Sequence, residues 1–313
     1  KYCMPEMFRK LEEIVAREKF DVVHVDHVHM AIYGTFLKEK FGLPIVIREH
    51  NFEATILARF AGNQKNPLVR AYARLQSQRL QRYEAEICTR FDCCAMITRE
   101  DELRLTNLAP SARTTVIPAG IDLPEASAHN AEEDGNILFL AALEWLPNIE
   151  GFFWFYEKVL PRLVQEVPHL KIYIVGKGSA PRLERLAHPN LRFMGFVEDL
   201  EPYFQAAQLC IVPLLTGGGM RIKILDMFAH RKCVVSTPVG CEGIAVEDGR
   251  ELLIASDPEA FIKRTLQALR EPSLRKTLGS NARKLVEAKY DWHQIAAAFE
   301  RVYMGVVSVP LNT

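Results

Sequence analysis

Short apolar runs alternate with longer amphipathic stretches along most of the chain, and this alternation limits the possible folds more than any single motif. The runs at 136–140 and 209–215 are almost continuously apolar, as expected for strands that are buried on both faces. Strands that alternate with helices belong to parallel sheets with helices packed on both sides. The sequence therefore predicts an α/β protein made of two doubly wound, Rossmann-like domains, with a ligand crevice at the carboxyl ends of the strands.

A polar segment at 123–135 separates two halves of the chain, and its Ala, Glu and Asn residues predict a linker. The N-terminal domain is expected at 1–122 and the C-terminal domain at 136–290. A last helical stretch within 291–313 is expected to pack back on the N-terminal domain. Only about four strands are predicted in the first half, so we expect an incomplete N-terminal domain whose opening βα units precede this sequence.

Net charge, cysteine content and the length of the apolar runs indicate what class of protein the sequence encodes. The 39 basic and 39 acidic residues give no net charge, so no global field favours a nucleic acid or an anionic membrane as partner. The seven cysteines are odd in number and include no CxxC pair, which is typical of reduced, buried thiols in a cytosolic protein. The sequence has neither a signal peptide nor an apolar run of membrane-spanning length, and a cytoplasmic location is predicted.

Common nucleotide and hydrolase motifs are missing from the sequence. Gly176 and Gly178 follow a predicted strand, but Pro181 replaces the third glycine of a dinucleotide-binding fingerprint. Neither a P-loop motif nor a GxSxG motif is present, so the sequence predicts neither a P-loop nucleotide hydrolase nor an α/β-hydrolase.

A glycine bend, defined as Gly217, Gly218 and Gly219, joins the apolar run at 209–215 to a helical pattern. Strand, bend and helix start together allow backbone N–H groups to approach an anion closely. The two cations Arg221 and Lys223 fall in the first helical turn, where the helix dipole disfavours positive charge, and a bound phosphate explains them best. The alternative is a well-packed strand–turn–helix with a solvated face.

The helix after the glycine bend is predicted to bury an apolar face and to expose a polar one. The apolar face consists of Ile222, Leu225 and Ala229. The polar stripe on the opposite side consists of Lys223, Asp226 and His230.

Several segments, taken in order, resemble one enzyme family. They are Arg48–Glu53, Pro118–Asp122, Phe139–Asn148, Val175–Gly178, Gly195–Asp199, Gly217–Phe228 and Val234–Gly243. Together they resemble the retaining glycosyltransferases of the GT-B fold, glycosyltransferase family 4. That family also has a glycine-rich loop after its first strand, and this sequence contains no match to it, which supports the expectation of truncation at the N-terminus.

The resemblance implies that a nucleotide-diphospho-sugar binds mainly on the C-terminal domain. It places the diphosphate against Gly217, Gly218, Gly219 and Met220, at the opening of the helix. It gives Arg221 and Lys223 the catalytic task of neutralising the diphosphate and stabilising the leaving group, where negative charge grows during glycosyl transfer.

Further donor contacts follow from the same resemblance. Asp226 takes the place of the second glutamate of the family's paired-glutamate pattern and is expected to reach the ribose diol. The first glutamate of that pair falls at Gly218, so backbone amides or Glu242 are expected to hold the sugar hydroxyls. The main chain around Val197 is expected to bind the base.

His50 follows the predicted strand 44–48 and is expected at the carboxyl end of that strand. Similar family members place a histidine there, beside the donor sugar and the acceptor. Retention in the family is explained by attack on the same face, with the donor phosphate taking the acceptor proton. His50 would then position the donor or stabilise developing charge. The alternative is a strand-end histidine bonded to a neighbouring carbonyl.

The segment from His24 to His29 is rich in metal-binding side chains. His24, Asp26, His27 and His29 make a metal site one interpretation. Family 4 enzymes generally need no divalent ion at the donor phosphates, so no metal is expected here. The favoured interpretation is that His27 and His29 contact the acceptor.

Two helical positions leave alternatives open. Asn148, close to Glu144 at the start of a predicted helix, is interpreted either as a donor contact or as an ordinary helix N-terminal residue. The basic helix 70–82, with Tyr72 and Tyr83, either lies against a lipid surface or is simply solvated.

The resemblance thus implies a hexosyltransferase that moves a sugar, with retained configuration, from a nucleotide-diphospho-sugar to a saccharide or lipid-linked acceptor. Such an enzyme would serve polysaccharide or glycoconjugate biosynthesis in the cytoplasm, with peripheral contact at the inner membrane face. No cofactor and no nucleic acid partner are expected. The alternative is a non-catalytic GT-B-like subunit that binds a nucleotide or glycan, as the loss of a carboxylate at Gly218 suggests.

Overall fold

The computed structural model describes residues 3–124, 132–178, 186 and 188–308. Most of the predicted linker 123–135 lies outside the described residues. The chain forms two compact units. The first contains the described residues up to Ala119, Gly218–Met220 and the described residues from His293 onward, and the second contains Gly120–Gly217 and Arg221–Trp292.

The first unit is built on a parallel sheet. Its strands within the described residues are β1 (Val23–Asp26), β2 (Ile45–Glu49), β3 (Cys93–Met96) and β4 (Thr114–Val116), in the spatial order β1-β2-β3-β4. Every residue of β2 and β3 is buried, as the apolar runs in the sequence indicate. The helices are α1 (Pro5–Arg17), α2 (Ala31–Phe41), α3 (Glu53–Asn63), α4 (Pro67–Arg90) and α5 (Arg99–Leu108).

Local capping fixes where the long helix α4 begins. Asn66 accepts hydrogen bonds from Leu68 N at 2.9 Å and Val69 N at 3.4 Å, and Pro67 occupies the first helical position. These contacts satisfy backbone donors that have no partner within the helix, and the fixed φ of proline suits that position. The start of α4 is therefore encoded locally.

The second unit contains a larger parallel sheet. Its strands within the described ranges are β5 (Asn136–Leu140), β6 (Lys171–Val175), β7 (Leu191–Gly195), β8 (Leu209–Val212), β9 (Cys233–Ser236) and β10 (Leu253–Ile254), in the order β10-β9-β8-β5-β6-β7. The chain direction through the sheet reverses between β5 and β8. In doubly wound sheets, ligands bind beyond the carboxyl ends of the strands at such a reversal. The α/β architecture predicted from the sequence is confirmed.

Helices cover this second sheet. They are α6 (Leu146–Lys158), α7 (Leu160–Glu166), α8 (Glu201–Ala206), α9 (Ile222–Ala229), α10 (Pro258–Arg270) and α11 (Pro272–Lys289), and α12 (Trp292–Val307) follows. In the first unit, Ile295 and Phe299 of α12 pack with Ala95 and Ile117. In the part of the chain that the structure describes, no helix has both the length and the apolar character needed to cross a bilayer.

Helix α9 differs from its predicted pattern at the first turn. Ile222 is 53% exposed, so its assignment to the buried face is wrong. The buried side chains are Ile224, Leu225, Met227, Phe228 and Ala229. These five side chains form the buried surface of α9, and Ile222, the first residue of the helix, lies outside it.

Gly279 of α11 provides a test of packing in the second unit. A Cβ at this position would lie 2.0 Å from the carbonyl oxygen of Arg231, a distance that requires backbone movement. We expect Gly279→Ala to lower the free energy of unfolding by about 1–3 kcal/mol, although alanine favours helices. Gly305→Ala in α12 is the matched control, because a Cβ added there would meet nothing within 4 Å. Urea unfolding of both variants measures the difference, and equal effects would contradict the packing argument.

Candidate functional site

Lys223 of α9 lies against the carboxyl end of β5. Its Nζ donates to Leu140 O at 2.8 Å and to Asn148 Oδ1 at 3.1 Å. Burial, followed by the positive charge of Arg221, lowers the pKa of Lys223 to about 7. The predicted polar stripe on the solvent side of α9 is therefore wrong for Lys223, whose ammonium group is buried.

Asn148 holds this lysine in place. Its side chain is 4% exposed and donates from Nδ2 to Ala142 O at 2.9 Å, while its Oδ1 accepts from Lys223. It caps no backbone N–H at the start of α6, where no side-chain cap is formed. Asn148 therefore joins the loop after β5 to the lysine. It is not the helix-capping residue of the second interpretation, and its contact with the donor stays a prediction.

The side chain of Arg221 fills the space that a side chain at position 217 would need. Arg221 precedes α9 and is 6% exposed, and its guanidinium carbon lies 5.7 Å from the ring centre of Trp145. Gly217 has φ 134°, and a Cβ there would lie 2.4 Å from Nη2 of Arg221. A residue with a side chain at 217 would thus displace the guanidinium and strain the backbone. Trp145 was not among the predicted site residues, although its motif was part of the family resemblance.

The loops after β8 and β9 are tied together. Thr237 Oγ1 donates to Leu214 O, and Gly240 N donates to Thr237 O at 3.0 Å. Glu242 lies in the turn that follows and is half-buried. The hydrogen bond between Thr237 and Leu214 thus joins the loop that carries Gly217 to the loop that leads to Glu242.

Asp226 and His230 form an ion-paired group with Glu201, a residue that the sequence did not single out. His230 Nδ1 lies 3.3 Å from Asp226 Oδ1, and Nε2 lies 3.1 Å from Glu201 Oε2. The ring stacks on Phe204 with 4.0 Å between ring centres. Burial alone would lower the pKa of His230, but the hydrogen bonds and charge of Asp226, with the charge of Glu201, raise it. Asp226 is therefore held in place by His230, whose raised pKa reflects this contact.

The expected base-binding segment lies just beyond β7. Gly176 N donates to Gly195 O at 2.9 Å, which fixes the end of β7 beside the end of β6. Phe196 is exposed and Val197 is half-buried. The backbone around Val197 is thus located at the carboxyl end of the sheet, where the sequence predicts it.

In the first unit, His50 follows β2 and pairs with a carboxylate at the end of β1. His50 Nε2 lies 2.7 Å from Asp26 Oδ1. Burial alone would raise the pKa of Asp26, but the hydrogen bond and charge of His50 outweigh this effect and lower it. The partner of the histidine is therefore an acid and not the carbonyl of the alternative interpretation.

His27 and His29 lie close to this pair. Their Nδ1 atoms are 2.9 Å apart, and the rings of His27 and His50 have centres 5.5 Å apart. His27 Nε2 also lies 3.7 Å from Glu53 Oε1. Burial, partly offset by Glu53, lowers the pKa of His27. The structure thus brings together three of the histidines singled out from the sequence.

His24, the remaining histidine of that segment, has a different environment. Its Nδ1 lies 2.7 Å from the hydroxyl of Tyr303, and its ring packs edge-on against Phe299 of α12. Across residues 3–124, 132–178, 186 and 188–308, no group of three or more His, Cys, Asp or Glu side chains could hold a metal ion. His24 thus contacts the C-terminal helix.

A buried acid supports the loop that carries His50. Glu84 of α4 accepts hydrogen bonds from Glu53 N at 2.7 Å and Ala54 N at 3.1 Å, at the start of α3. Burial raises the pKa of Glu84 to about 7 and also raises that of the neighbouring Glu49 well above its usual value. Sequence analysis missed this role, because a glutamate in a basic amphipathic helix is typically a surface residue.

Comparison with known proteins connects both units to one family. Residues 134–271 match the family model described as Glycosyl transferases group 1. Residues 2–125 match the model described as Glycosyltransferase Family 4. Together these two matches cover most of the chain.

Individual relatives extend this comparison. An uncharacterized 44.6 kDa protein in the cps region of Klebsiella pneumoniae is 25% identical over 295 residues, which are 90% of this chain and 74% of that protein. A phosphatidyl-myo-inositol mannosyltransferase of Mycolicibacterium smegmatis is 28% identical over 154 residues, which are 47% of this chain and 40% of the relative.

A solved structure gives the same fold. Anabaena HepE in complex with UDP superposes with a TM-score of 0.74 at 12% identity, covering 96% of this chain and 81% of HepE. At this identity the likeness concerns the fold alone. Fold and family matches agree, and the chain belongs to the group 1 glycosyltransferases of family 4, as a transferase enzyme with the GT-B fold.

Proposed function

We propose that this enzyme is a retaining hexosyltransferase that uses a nucleotide-diphospho-sugar and a saccharide or lipid-linked acceptor. The observation that carries the proposal is the ammonium group of the half-buried Lys223, which donates to two neutral oxygens, Leu140 O and Asn148 Oδ1. Arg221 adds a second cation that lowers the pKa of this lysine. A bound diphosphate would supply at the sheet reversal the negative charge that the partners of Lys223 do not.

The proposed reaction breaks the bond between the sugar anomeric carbon and the diphosphate oxygen. Negative charge grows on that oxygen, and Arg221 and Lys223 stabilise it, so that no divalent metal is needed. The acceptor oxygen bonds to the anomeric carbon on the same face, and its proton passes to the departing phosphate. Backbone amides of Gly218 and Gly219, with Met220, contact the diphosphate.

The remaining predicted residues receive binding roles in this proposal. Asp226, held by His230, accepts hydrogen bonds from the ribose diol, and the main chain at Val197 contacts the base. Glu242 contacts the sugar hydroxyls. His27 and His29 contact the acceptor, and His50 assists transfer by positioning the donor or stabilising charge.

The relatives support a role in polysaccharide or glycoconjugate biosynthesis. The name of one relative specifies mannosyl transfer to phosphatidyl-myo-inositol, and another relative lies in a cps region. HepE was solved with UDP, which makes UDP-sugars the first donors to examine. We propose that the enzyme acts in the cytoplasm, in peripheral contact with the inner membrane face.

Loss of either cation is the first test of the donor site. UDP-, GDP-, ADP- and dTDP-sugars are screened by thermal shift, since a bound ligand stabilises the folded state by mass action. With the donor so identified, Arg221→Ala and Lys223→Met are expected to lower kcat/KM for transfer about 10²–10³-fold.

Lys232→Met is the matched control for these variants. Lys232 is also half-buried and donates to a carbonyl, Ala207 O, at 3.0 Å, but it lies outside the proposed site. Transfer that survives in Lys223→Met, or that falls equally in Lys232→Met, would contradict the proposed role. Donor binding without turnover in every acceptor screen would favour the non-catalytic subunit.

The depressed pKa of Lys223 predicts a pH dependence of donor binding. In the free enzyme this lysine loses its proton above about pH 7, whereas a bound diphosphate raises its pKa. Binding therefore takes up a proton, and the dissociation constant of the nucleotide sugar should rise up to about tenfold per pH unit above about pH 7. Titration calorimetry between about pH 7 and pH 9 measures this slope. Lys223→Met should flatten it, and a wild-type affinity that is constant over this range would refute the assignment.

The His50–Asp26 pair predicts an effect on turnover rather than on donor affinity. His50→Ala should lower kcat about 10²-fold and change the donor dissociation constant only slightly, because its proposed task arises during transfer. His169→Ala is the matched control, since His169 also pairs with an acid, Asp134, at 2.9 Å. If single-turnover kinetics show unchanged kcat in His50→Ala, the assisting role is wrong.

A further inference from the structure

The hairpin of α3 and α4 carries a concentrated positive charge. Between residues 54 and 83 the sequence has no Asp or Glu, but it contains Arg59, Lys65, Arg70, Arg74, Arg79 and Arg82. The chain as a whole is neutral, with 39 basic and 39 acidic residues. The hairpin is therefore a local basic region on an otherwise balanced protein.

The outward face of α4 is apolar near its start. Leu68, Tyr72 and Leu75 are 79%, 66% and 46% exposed, and their i, i+4, i+7 spacing places them on one face. The opposite face is the buried one, formed by Ala73, Ser77, Glu84, Ile87 and Cys88. Three large apolar side chains are thus presented to solvent as a continuous stripe.

Arginines continue the same face. Arg79 and Arg82 follow Leu75 at the next positions of the stripe, and Arg74 is exposed beside it. Within the described parts of the chain these three arginines form no hydrogen bond or ion pair. Arg90, at the end of the same helix, instead pairs with Glu86 at 2.9 Å and Glu39 at 3.5 Å. We name Leu68, Tyr72, Leu75, Arg74, Arg79 and Arg82 the α4 outer face.

We infer that the α4 outer face docks on an anionic lipid surface. Leucine and tyrosine side chains can enter the boundary between headgroups and acyl chains, while the arginines bind lipid phosphates. A nucleic acid would use the arginines but would leave the leucine stripe exposed to water. The inference refines the proposed membrane contact and uses none of the residues assigned to the donor.

Sedimentation with lipid vesicles tests the docking surface. The whole chain should pellet with vesicles that contain about one-third phosphatidylglycerol in phosphatidylcholine, and it should stay in solution with phosphatidylcholine alone. Binding should weaken at high salt, because exposed charges are screened. Leu68→Ser/Tyr72→Ser/Leu75→Ser and Arg74→Gln/Arg79→Gln/Arg82→Gln should each lower the vesicle partition coefficient at least about tenfold.

Controls separate docking from general stickiness. Leu103→Ser/Leu108→Ser changes two exposed leucines of α5, 47% and 45% exposed, and should leave vesicle binding unchanged. Wild-type protein that ignores anionic vesicles, or triple variants that bind like wild type, would overturn the inference. So would wild-type protein that dimerises in sedimentation equilibrium and loses dimerisation in the leucine variant.

Donor binding is read separately in the same samples. All vesicle-binding variants should keep the thermal shift produced by the nucleotide sugar. If wild-type protein binds vesicles but shows no shift with any donor, the proposed reaction fails and the docking surface stands. If it shows the shift but ignores vesicles, the docking surface fails alone.

Discussion

The contact of the Lys223 ammonium group with the carboxyl end of β5 is the interaction on which the proposed chemistry of the second unit depends. Burying a cation is unfavourable unless its surroundings compensate, and the hydrogen bonds of Lys223 go to the neutral oxygens Leu140 O and Asn148 Oδ1, beside the ring of Phe139 at 5.9 Å. The pKa of Lys223 is low because this compensation is incomplete. In doubly wound sheets ligands bind beyond the strands at such a reversal, so this electrostatic demand falls where the fold predicts a ligand.

In the first unit, the polar side chain His50 is positioned by contacts of a different kind. His50, at the end of β2, pairs with Asp26, while Glu84 binds the first backbone N–H groups of α3 and so fixes the loop between them. A carboxylate at a helix N-terminus is stabilised by the helix dipole, although burial raises its pKa. The position of His50 thus depends on an acid 34 residues further along the chain, at Glu84.

Periodicity was enough to predict the parallel sheets, and glycine spacing to predict the glycine bend, whereas most candidate site residues were singled out by the family resemblance. The sequence did not reveal α3, whose start is stabilised by Glu84 and by Ser77, which donates to Ala54 O at 2.8 Å. Nor did it reveal the burial of Lys223, which depends on the distant Asn148. These features arise from tertiary contacts, and local pattern carries no information about them.

The absence of a carboxylate at Gly218 bears on the pKa of Lys223. A carboxylate at position 218, as in the family's paired-glutamate pattern, would add a fixed negative charge three residues before Arg221. Glycine leaves the bend without an acid of its own, and burial, followed by the positive charge of Arg221, lowers the pKa of Lys223. With a pKa lowered to about 7, the lysine would regain its full charge when the diphosphate of the proposed donor binds. A site of this kind couples donor binding to proton uptake, which a permanently charged arginine at 223 would not do.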